Sequence, residues 1–308
     1  MPPNAKHVAE YAALRVMAGL FNALPYRVAL AAGWFNARLA FALARSRVAE
    51  AERRIRQVFG ERLSPAEVRR TAWHSWRNLT FSGIEMLRVA SVTREWLQAH
   101  SDCAAALQTI LQHCRTGRGA ILAVPHMGNW ELAAVTCHLH GIPIFSIAGR
   151  QKNPLTDGYL NELRATHGIV TLLRGSGTMK EVLRRLRRGE VLAILPDVRM
   201  PTESVRVPFL GAEANLGSGM ALFARHADVP IIPGLVRRRG WARHVLQTFA
   251  PLEPDKSLDK DADVVRMTAA VMKIIEAAIR AEPGQWFWFN KRWLLDPLNG
   301  EQGKGKLA

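Results

Sequence analysis

A histidine and a glutamate, five positions apart, are the strongest candidates for chemistry in this sequence. His126 ends the apolar run "AILAVPH", and Glu131 follows it in "MGNWE". On a continuous helix this spacing would place the two side chains about 140° apart, so they can meet only across a bend. Gly128 tolerates positive φ and Asn129 is a good helix cap. The sequence therefore predicts a tight turn, with Glu131 in the first turn of the helix that follows.

The two side chains suggest general-base catalysis. A carboxylate that holds one imidazole nitrogen fixes the tautomer of the ring and raises its basicity at the other nitrogen. We therefore interpret His126 as a base supported by Glu131, beside backbone N–H groups that could receive an oxyanion. The alternative is structural: a glutamate that caps the helix and a histidine that is merely hydrogen-bonded. The pattern H-x-x-x-x-E alone leaves both interpretations open.

The elements that would position this turn follow a regular order. After Gly119, apolar runs alternate with helical patterns; the runs are "AILAV", "IPIFSIA", "IVTLL", "EVLAIL" and "VPIIPGLV", and the helical patterns begin near Trp130, Thr156, Thr178 and Ser218. Short apolar strands separated by helices predict an α/β fold with a mostly parallel sheet flanked by helices. Ligands collect where such strands end, which is where His126 stands and where Asp197 closes "AILPD".

The N-terminal region has a different character. The helical pattern "VAEYAALRVMAGLFNAL" stops at Pro25, and a second apolar and amphipathic helical pattern follows. Arg15, Arg27 and Arg38 interrupt the region, so neither half suits a transmembrane span, and no signal-peptide layout is present. Apolar faces with cationic margins favour insertion into one membrane leaflet, with anionic lipids as partners. The alternative is a helical cap buried on the main domain.

We divide the chain into three parts by these patterns. Residues 1–60 form the membrane-associating helical region, and residues 61–297 form the α/β domain. A last long helix within that domain, "DADVVRMTAAVMKIIEAAIRAE", precedes the aromatic segment "QWFWFNKRW". We expect the aromatic side chains of this segment to belong to the core. Residues 298–308 are expected to be a flexible tail.

The composition narrows the possible partners. The 308-residue chain carries 42 Lys and Arg against 26 Asp and Glu, a net charge of +16. Such a surface attracts nucleic acid, anionic lipid headgroups or an acidic carrier protein. No RNA-binding fingerprint accompanies the basic clusters "KEVLRRLRRG" and "VRRRGWAR", so we expect no nucleic-acid partner. Cys103, Cys114 and Cys137 lack metal-ligand spacing, which favours reduced thiols, a cytosolic environment and no metal site.

Four blocks of the chain, in order, resemble motifs of a known superfamily. "GRGAILAVPHMGNWELAA" resembles the first motif of the bacterial lysophospholipid acyltransferases, closely in the branch of the lipid A lauroyl and myristoyl transferases and the mycobacterial mannoside acyltransferases. "GRQKNP" is similar to the second motif, "LAILPDVRMPTESVRVPFLGAEA" to the third and "QWFWFNKRW" to the C-terminal signature. The resemblance extends over nearly the whole chain.

The resemblance implies an O-acyltransferase. His126 would deprotonate an acceptor hydroxyl with support from Glu131, and the hydroxyl would attack the thioester of an acyl carrier protein or coenzyme A. The acyl chain would lie in an apolar tunnel, and no cofactor beyond the thioester co-substrate would be needed. The acceptor would be a lipid A precursor or related glycolipid, and the enzyme a peripheral or monotopic protein on the cytoplasmic face of the inner membrane.

Further residues are assigned to substrate binding. In the second motif, Arg150 would contact an anionic substrate or carrier phosphate, with Asn153 behind it. Asp197 ends a strand, a common place for functional carboxylates, and Glu203 is a candidate second acid near the base. Gly128 and Asn129 complete the expected set. At "DVRM" the chain departs from the pattern of many relatives, which have Gln and a second acidic residue there, so acceptor recognition would differ.

Two other functions remain open at this point. One is a lysophospholipid acyltransferase that uses the same base on a different acceptor. The other is a basic binding module that retains the fold without turnover and binds lipid or nucleic acid. The pairing of His126 with Glu131 favours an enzyme. The sequence leaves the oligomeric state, acyl chain length and donor undetermined.

Overall fold

The computed structural model describes residues 3–296. Within them, seven strands form the central sheet in the order β1-β9-β8-β2-β5-β3-β4, and a separate hairpin joins β6 to β7. The strands are β1 Ser101–Asp102, β2 Ala120–Ala123, β3 Ile144–Ala148, β4 Val170–Leu173, β5 Val191–Ile194, β6 Val205–Phe209, β7 Ala212–Leu216, β8 Ile231–Arg239 and β9 Arg243–Thr248. All pairs in the central sheet are parallel except β8 with β9. The predicted mostly parallel α/β fold is confirmed.

Helices cover the sheet, and the first five precede its first strand in the chain. They are α1 Ala5–Ala23, α2 Tyr26–Leu43, α3 Arg45–Phe59, α4 Pro65–Leu87, α5 Arg94–His100, α6 Ala104–Arg115, α7 Trp130–Leu139, α8 Pro154–Ala165, α9 Thr178–Leu186, α10 Gly219–Ala227 and α11 Lys260–Ala281. Local chemistry explains the start of α4, where the side chains of Ser64 and Glu67 each bond the other's backbone N–H. The predicted break at Pro25 separates α1 from α2.

The five predicted strands are present, but the sequence patterns missed four others. β1 is only two residues long. The hairpin of β6 and β7 buries alternate residues, Val205, Val207 and Phe209, while the side chains between them are more exposed. This period of two is present in the sequence, but it lies within the third motif block and does not form a continuous apolar run. β9 also lacked a continuous apolar run.

The N-terminal helices have one buried and one exposed side. α2 packs on α4 so closely that a Cβ at Gly33 would lie 2.0 Å from Ile84 Cδ1. The opposite sides of α1 and α2 expose large apolar side chains: Val8, Val16, Met17, Leu20, Val28, Phe35, Leu39 and Leu43. No helix among residues 3–296 is both long and apolar enough to cross a membrane. The alternative of a helical cap on the main domain therefore describes the buried side of these helices, and membrane association of the exposed side stays a prediction.

The third helix belongs to the same core as the sheet. Val48, Ala51 and Ile55 of α3 are buried in one apolar cluster with residues of β2 and β5. The buried Arg54 donates hydrogen bonds to the carbonyl oxygens of Trp288 and Asn290, at 2.9 and 2.6 Å. Packing therefore continues across the boundary drawn at residue 60, which stays a prediction. The expected tail, residues 298–308, lies outside the described residues.

Candidate active site

The strand register brings His126 and Asp197 together. Ala123 of β2 is paired with Ile194 of the parallel strand β5, and the two functional residues each follow three positions later. The His126 ring nitrogen Nδ1 lies 2.8 Å from Asp197 Oδ1, and the His126 backbone N–H donates to Oδ2 at 2.8 Å. The carboxylate therefore holds both the ring and the backbone of the histidine.

His126 and a tryptophan keep this buried carboxylate ionised. Asp197 is 1% exposed, and Trp286 Nε1 donates to its Oδ2 at 2.8 Å. Burial alone would raise the pKa of Asp197, but His126 and Trp286 outweigh it and lower the pKa. Burial alone would lower the pKa of His126, but Asp197 and, less strongly, Glu131 raise it. The pair is an ionised carboxylate that increases the basicity of an imidazole.

The contact predicted between Glu131 and the imidazole is wrong, because Asp197 makes it. Glu131 does lie in the first turn of α7, as expected, but its carboxylate is paired with Arg164 of α8. Arg164 Nε donates to Oε2 at 3.0 Å and Nη2 donates to Oε1 at 2.7 Å. In the sequence, Arg164 is a lone arginine within a helical pattern, and nothing near it indicates that it pairs with Glu131. Glu131 acts on the ring only through its charge.

Gly128 and Asn129 form the predicted turn and cap. Gly128 has φ +60°, and a Cβ there would lie 2.2 Å from the carbonyl oxygen of Val236. Asn129 Oδ1 accepts from the Leu132 N–H at 3.0 Å and so begins α7. Both residues are buried, Asn129 to 1% exposure, and neither lines the cleft beside His126. The substrate contacts expected from them are therefore not supported, because the fold uses them to shape the turn.

Three other residues expected to bind substrate do not line the cleft beside His126. Arg150 is exposed after β3 and does not line the cleft. Asn153 caps α8, and its Nδ2 donates to the His7 carbonyl oxygen at 3.0 Å, so it joins α8 to α1. Glu203 is exposed and paired with Arg206 at 3.2 Å. Within the described residues, Asp197 is thus the expected binding residue that contacts His126.

A cleft of about 680 Å³ opens beside the base. Its apolar side chains include Ile147, Met179, Ile194, Leu195, Met200, Met220 and Phe223. Its polar side chains include Ser146, Arg164, Arg174, Thr178 and Ser218. His126 is 20% exposed, and its Nε2 has no hydrogen-bond partner among residues 3–296. The arrangement can accept a proton from a bound group while an apolar chain lies along the walls.

The aromatic C-terminal segment supports the site from behind. The N–H of Phe287 donates to the His126 carbonyl oxygen at 3.0 Å, and the N–H of Gly128 donates to that of Gln285 at 3.1 Å. Trp286, Trp288 and Trp293 are all at most 2% exposed. The prediction that this segment belongs to the core is confirmed for its tryptophans. Its contact with Asp197 could not be inferred from composition.

The basic cluster "RRLRR" is partly neutralised. Arg184 and Arg185 both bond Glu181, and Arg185 also bonds Glu190 at 2.6 Å. Hydrogen bonds from these arginines lower the pKa of Glu181 to about 2. Arg187 and Arg188 are the more exposed cations of the cluster. A docking partner would therefore meet fewer free charges than the sequence suggested.

The structure also bears on metal binding. Among the described residues, no group of three or more His, Cys, Asp and Glu side chains is arranged to hold a metal ion. Cys137 is fully buried, and burial raises the pKa of its thiol to about 12. The expectation that the chemistry needs no metal stays a prediction.

A known protein family matches nearly the whole of this sequence. Residues 4–295 match the family described as bacterial lipid A biosynthesis acyltransferase. The chain belongs to this family. The resemblance inferred from the four motif blocks is therefore confirmed, and the His126 motif lies within the matched region.

Individual members of the lipid A biosynthesis acyltransferase family are similar at modest identity. The phosphatidylinositol mannoside acyltransferase of Mycolicibacterium smegmatis is 28% identical over 185 residues, 58% of each chain. The lipid A biosynthesis acyltransferase of Haemophilus influenzae is 26% identical over 201 residues, 65% of this chain and 61% of that relative. The lipid A biosynthesis lauroyltransferase of Escherichia coli is 29% identical over 183 residues, 58% of each chain. The matches span less than two thirds of each relative.

Proposed function

We propose that this protein is an O-acyltransferase that moves a fatty acyl group from a thioester to a hydroxyl of a lipid A precursor or related glycolipid. The observation that carries the proposal is the state of the His126 ring. Its Nδ1 is held by the buried Asp197 at 2.8 Å, and its Nε2 is left for a ligand in the cleft. This is the arrangement of an oriented general base.

In the first step His126 acts as the base. Nε2 accepts the proton of the acceptor hydroxyl while the hydroxyl oxygen forms a bond to the carbonyl carbon of the thioester. Asp197 stabilises the imidazolium that forms, since its carboxylate accepts from the Nδ1–H. A positioned base typically contributes about 10² to 10⁴ in rate.

In the second step the tetrahedral intermediate collapses. The carbon–sulfur bond breaks, and the leaving thiolate takes the proton from His126 Nε2, so that an ester and a free thiol result. The oxyanion needs hydrogen-bond donors near the start of α7. The N–H groups of Trp130 and Glu131 stand in its first turn, where the helix offers no carbonyl partner, and both residues line the cleft.

The side chains that line the cleft suit both substrates. The apolar side chains of Met179, Met200 and Phe223 suit the acyl chain, because methionine side chains adapt to a flexible apolar ligand. The pair of Glu131 and Arg164 also lines the cleft, and both side chains are partly exposed, to 25% and 19%. We assign this pair to hydroxyl groups of the acceptor.

A glycolipid acceptor at a membrane surface is favoured by two observations. Similar proteins include acyltransferases of lipid A biosynthesis and of phosphatidylinositol mannoside, which are both glycolipids. The exposed apolar side chains of α1 and α2, beside Arg15, Arg27 and Arg38, suit the surface of an anionic membrane. We place the enzyme peripherally on the cytoplasmic face of the inner membrane.

The net charge of +16 favours an acidic acyl carrier protein as donor over coenzyme A.

The base is tested with His126→Ala in the purified protein, using acyl carrier protein thioester and glycolipid extract. We expect kcat to fall by about 10² to 10⁴, because no other side chain takes the proton. His226→Ala is the matched control, since that histidine is exposed on α10 and should leave turnover unchanged. Turnover that survives His126→Ala would contradict the mechanism. Lipidomics of a deletion strain identifies the acceptor, and loss of acylated phospholipid alone would replace the glycolipid by a lysophospholipid.

A further inference from the structure

A buried carboxylate lies beneath the turn that carries His126. Glu85 of α4 is 4% exposed and is paired with Arg238 of β8. Arg238 Nη1 donates to Oε1 at 2.6 Å and Nη2 donates to Oε2 at 2.5 Å. This two-bond pair already neutralises the charge of Glu85 within the core. Additional donors can still bond the remaining lone pairs of the carboxylate, and each one ties a further element to Glu85.

Two such donors come from separate elements. Asn129, the cap of α7, donates from Nδ2 to Glu85 Oε2 at 2.6 Å. Tyr26, the first residue of α2, donates its hydroxyl to Glu85 Oε1 at 2.6 Å. His244 of β9 lies 3.2 Å from the same Oε1. The carboxylate thus joins α2, α4, α7 and both antiparallel strands of the sheet at one point.

The contacts of this cluster reach the catalytic turn at two points, both from α4. Asn129 is anchored to Glu85 by Nδ2 while its Oδ1 begins α7. Ser82, one turn before Glu85 on α4, donates to the Gly128 carbonyl oxygen at 3.0 Å. His126 stands only two residues before Gly128. The direction in which its ring enters the cleft therefore depends on how α4 holds the turn.

The hydrogen-bond directions in the cluster are fixed by charge. Burial alone would raise the pKa of Glu85, but Arg238 and His244 outweigh it and hold the pKa below its usual range. Burial, followed by the charge of Glu85, raises the pKa of the Tyr26 phenol. Glu85 therefore accepts and Tyr26 donates throughout the physiological range. Tyr26 is held further by edge contacts of its ring with Trp96 and His100, both at 5.1 Å.

We propose that Glu85 is a positioning residue for the catalytic turn, and that Tyr26 connects it to the N-terminal helices. The seating of α2 on α4 then contributes, together with Asp197, to the orientation of the His126 ring. The kinetic part of this inference rests on the proposed acyl transfer, whereas the structural part does not.

The experiment uses Tyr26→Phe in the full chain. Replacing Glu85 itself would leave Arg238 buried without its partner and could unfold the protein. Tyr26→Phe removes only the donor and retains the ring. Tyr11→Phe is the matched control, because it removes a hydroxyl on α1 that bonds Arg15 and no residue of the cluster. Both variants are compared with wild type by NMR of the His126 ring and by steady-state kinetics.

The expected result separates positioning from general stability. In Tyr26→Phe the signal of the His126 Nδ1 proton should shift, and kcat should fall about tenfold with KM for the acyl donor unchanged, because a small displacement of the base weakens the chemical step. Tyr11→Phe should change neither. An unshifted signal with unchanged kcat in Tyr26→Phe would overturn the proposal.

A double-mutant cycle tests the route through Glu85. Asn129→Ser keeps a capping side chain on α7 but loses the amide donor to Glu85. If the route is correct, Tyr26→Phe has little further effect on the ring signal or kcat in this background. The route through Glu85 would be overturned if the two substitutions act independently. In that case their factors in kcat multiply and their shifts of the ring signal add. If no thioester substrate turns over but the cycle is seen in the ring signal, the acyltransferase proposal fails and the positioning role stands.

Discussion

Replacement of Asp197 by asparagine tests whether its charge or only its shape serves the histidine. Two donors, the His126 backbone N–H and Trp286 Nε1, converge on Oδ2, and the ring faces Oδ1. An asparagine satisfies all three partners only if its oxygen takes the Oδ2 position and its amide group faces the ring. Nδ1 must then accept a hydrogen bond, so the ring proton moves to Nε2, the atom that should act as base.

The magnitude follows from this exchange of tautomers. A ring that carries its proton on Nε2 cannot accept the proton of the acceptor hydroxyl. We therefore expect Asp197→Asn to lose most of the contribution of general-base catalysis, about 10² to 10⁴ in kcat. At 1.36 kcal/mol for each factor of ten, this is about 3 to 5 kcal/mol in the barrier.

The pH dependence adds a second measurement. The wild-type pKa of His126 is raised, chiefly by Asp197 against the effect of burial, so activity should fall as the pH drops through that raised value. In Asp197→Asn the opposing charge is gone and burial remains, which lowers the pKa of the ring. The acidic limb of residual kcat/KM should therefore move to lower pH.

The assay is steady-state turnover of a purified acyl thioester between about pH 5 and 9, a range that includes the ordinary pKa of histidine. Asp228→Asn is the matched control, because Asp228 is exposed and its φ of +57° suits asparagine. Thermal unfolding verifies that both variants are folded. An Asp197→Asn variant with wild-type kcat, or with an unmoved acidic limb, would refute the role given to the carboxylate.

Two further predictions concern the rest of the site and the N-terminal helices. Glu131→Gln should lower kcat no more than about tenfold, because Glu131 bonds Arg164 and not the ring, and a loss as large as that from removing the base would contradict this view. Phe35→Ser combined with Leu39→Ser should lower the affinity for phosphatidylglycerol vesicles at least tenfold, as measured by sedimentation. The reason is that burial of each such side chain contributes about 1.5 to 3 kcal/mol. Val265→Ser, which removes an exposed apolar side chain from α11, is the control; equal sedimentation of all variants would exclude α2 from the membrane contact.

Local features of the fold could be predicted from the sequence because their causes lie within a few residues. Ser64 and Glu67 cap α4 through their own backbone groups. Gly128 and Asn129 specify the turn, since one permits positive φ and the other bonds the helix that follows. The break at Pro25 follows from the missing N–H of proline. The apolar runs predicted five strands for the same reason, as a buried strand needs apolar side chains on both faces.

The partner of His126 required the tertiary structure. Glu131 was the nearer carboxylate in sequence, five residues away, whereas Asp197 is 71 residues away. Only the pairing of β2 with β5 places the ends of these two strands side by side. The sequence identified Asp197 as a carboxylate at a strand end, but strand order decides which strand end adjoins which.

The supporting contacts were decided in the same way. Arg164 of α8 reaches Glu131 of α7 although the two residues are 33 positions apart, and Trp286 reaches Asp197 because the C-terminal segment pairs with the turn. By itself, the sequence determined the turn after His126 and the class of fold and proposed His126 as the base, since these depend on local spacing and on apolar patterns. The tertiary structure alone decided which charge faces which, because a buried carboxylate takes the donors that packing brings within hydrogen-bond distance, whatever their separation along the chain.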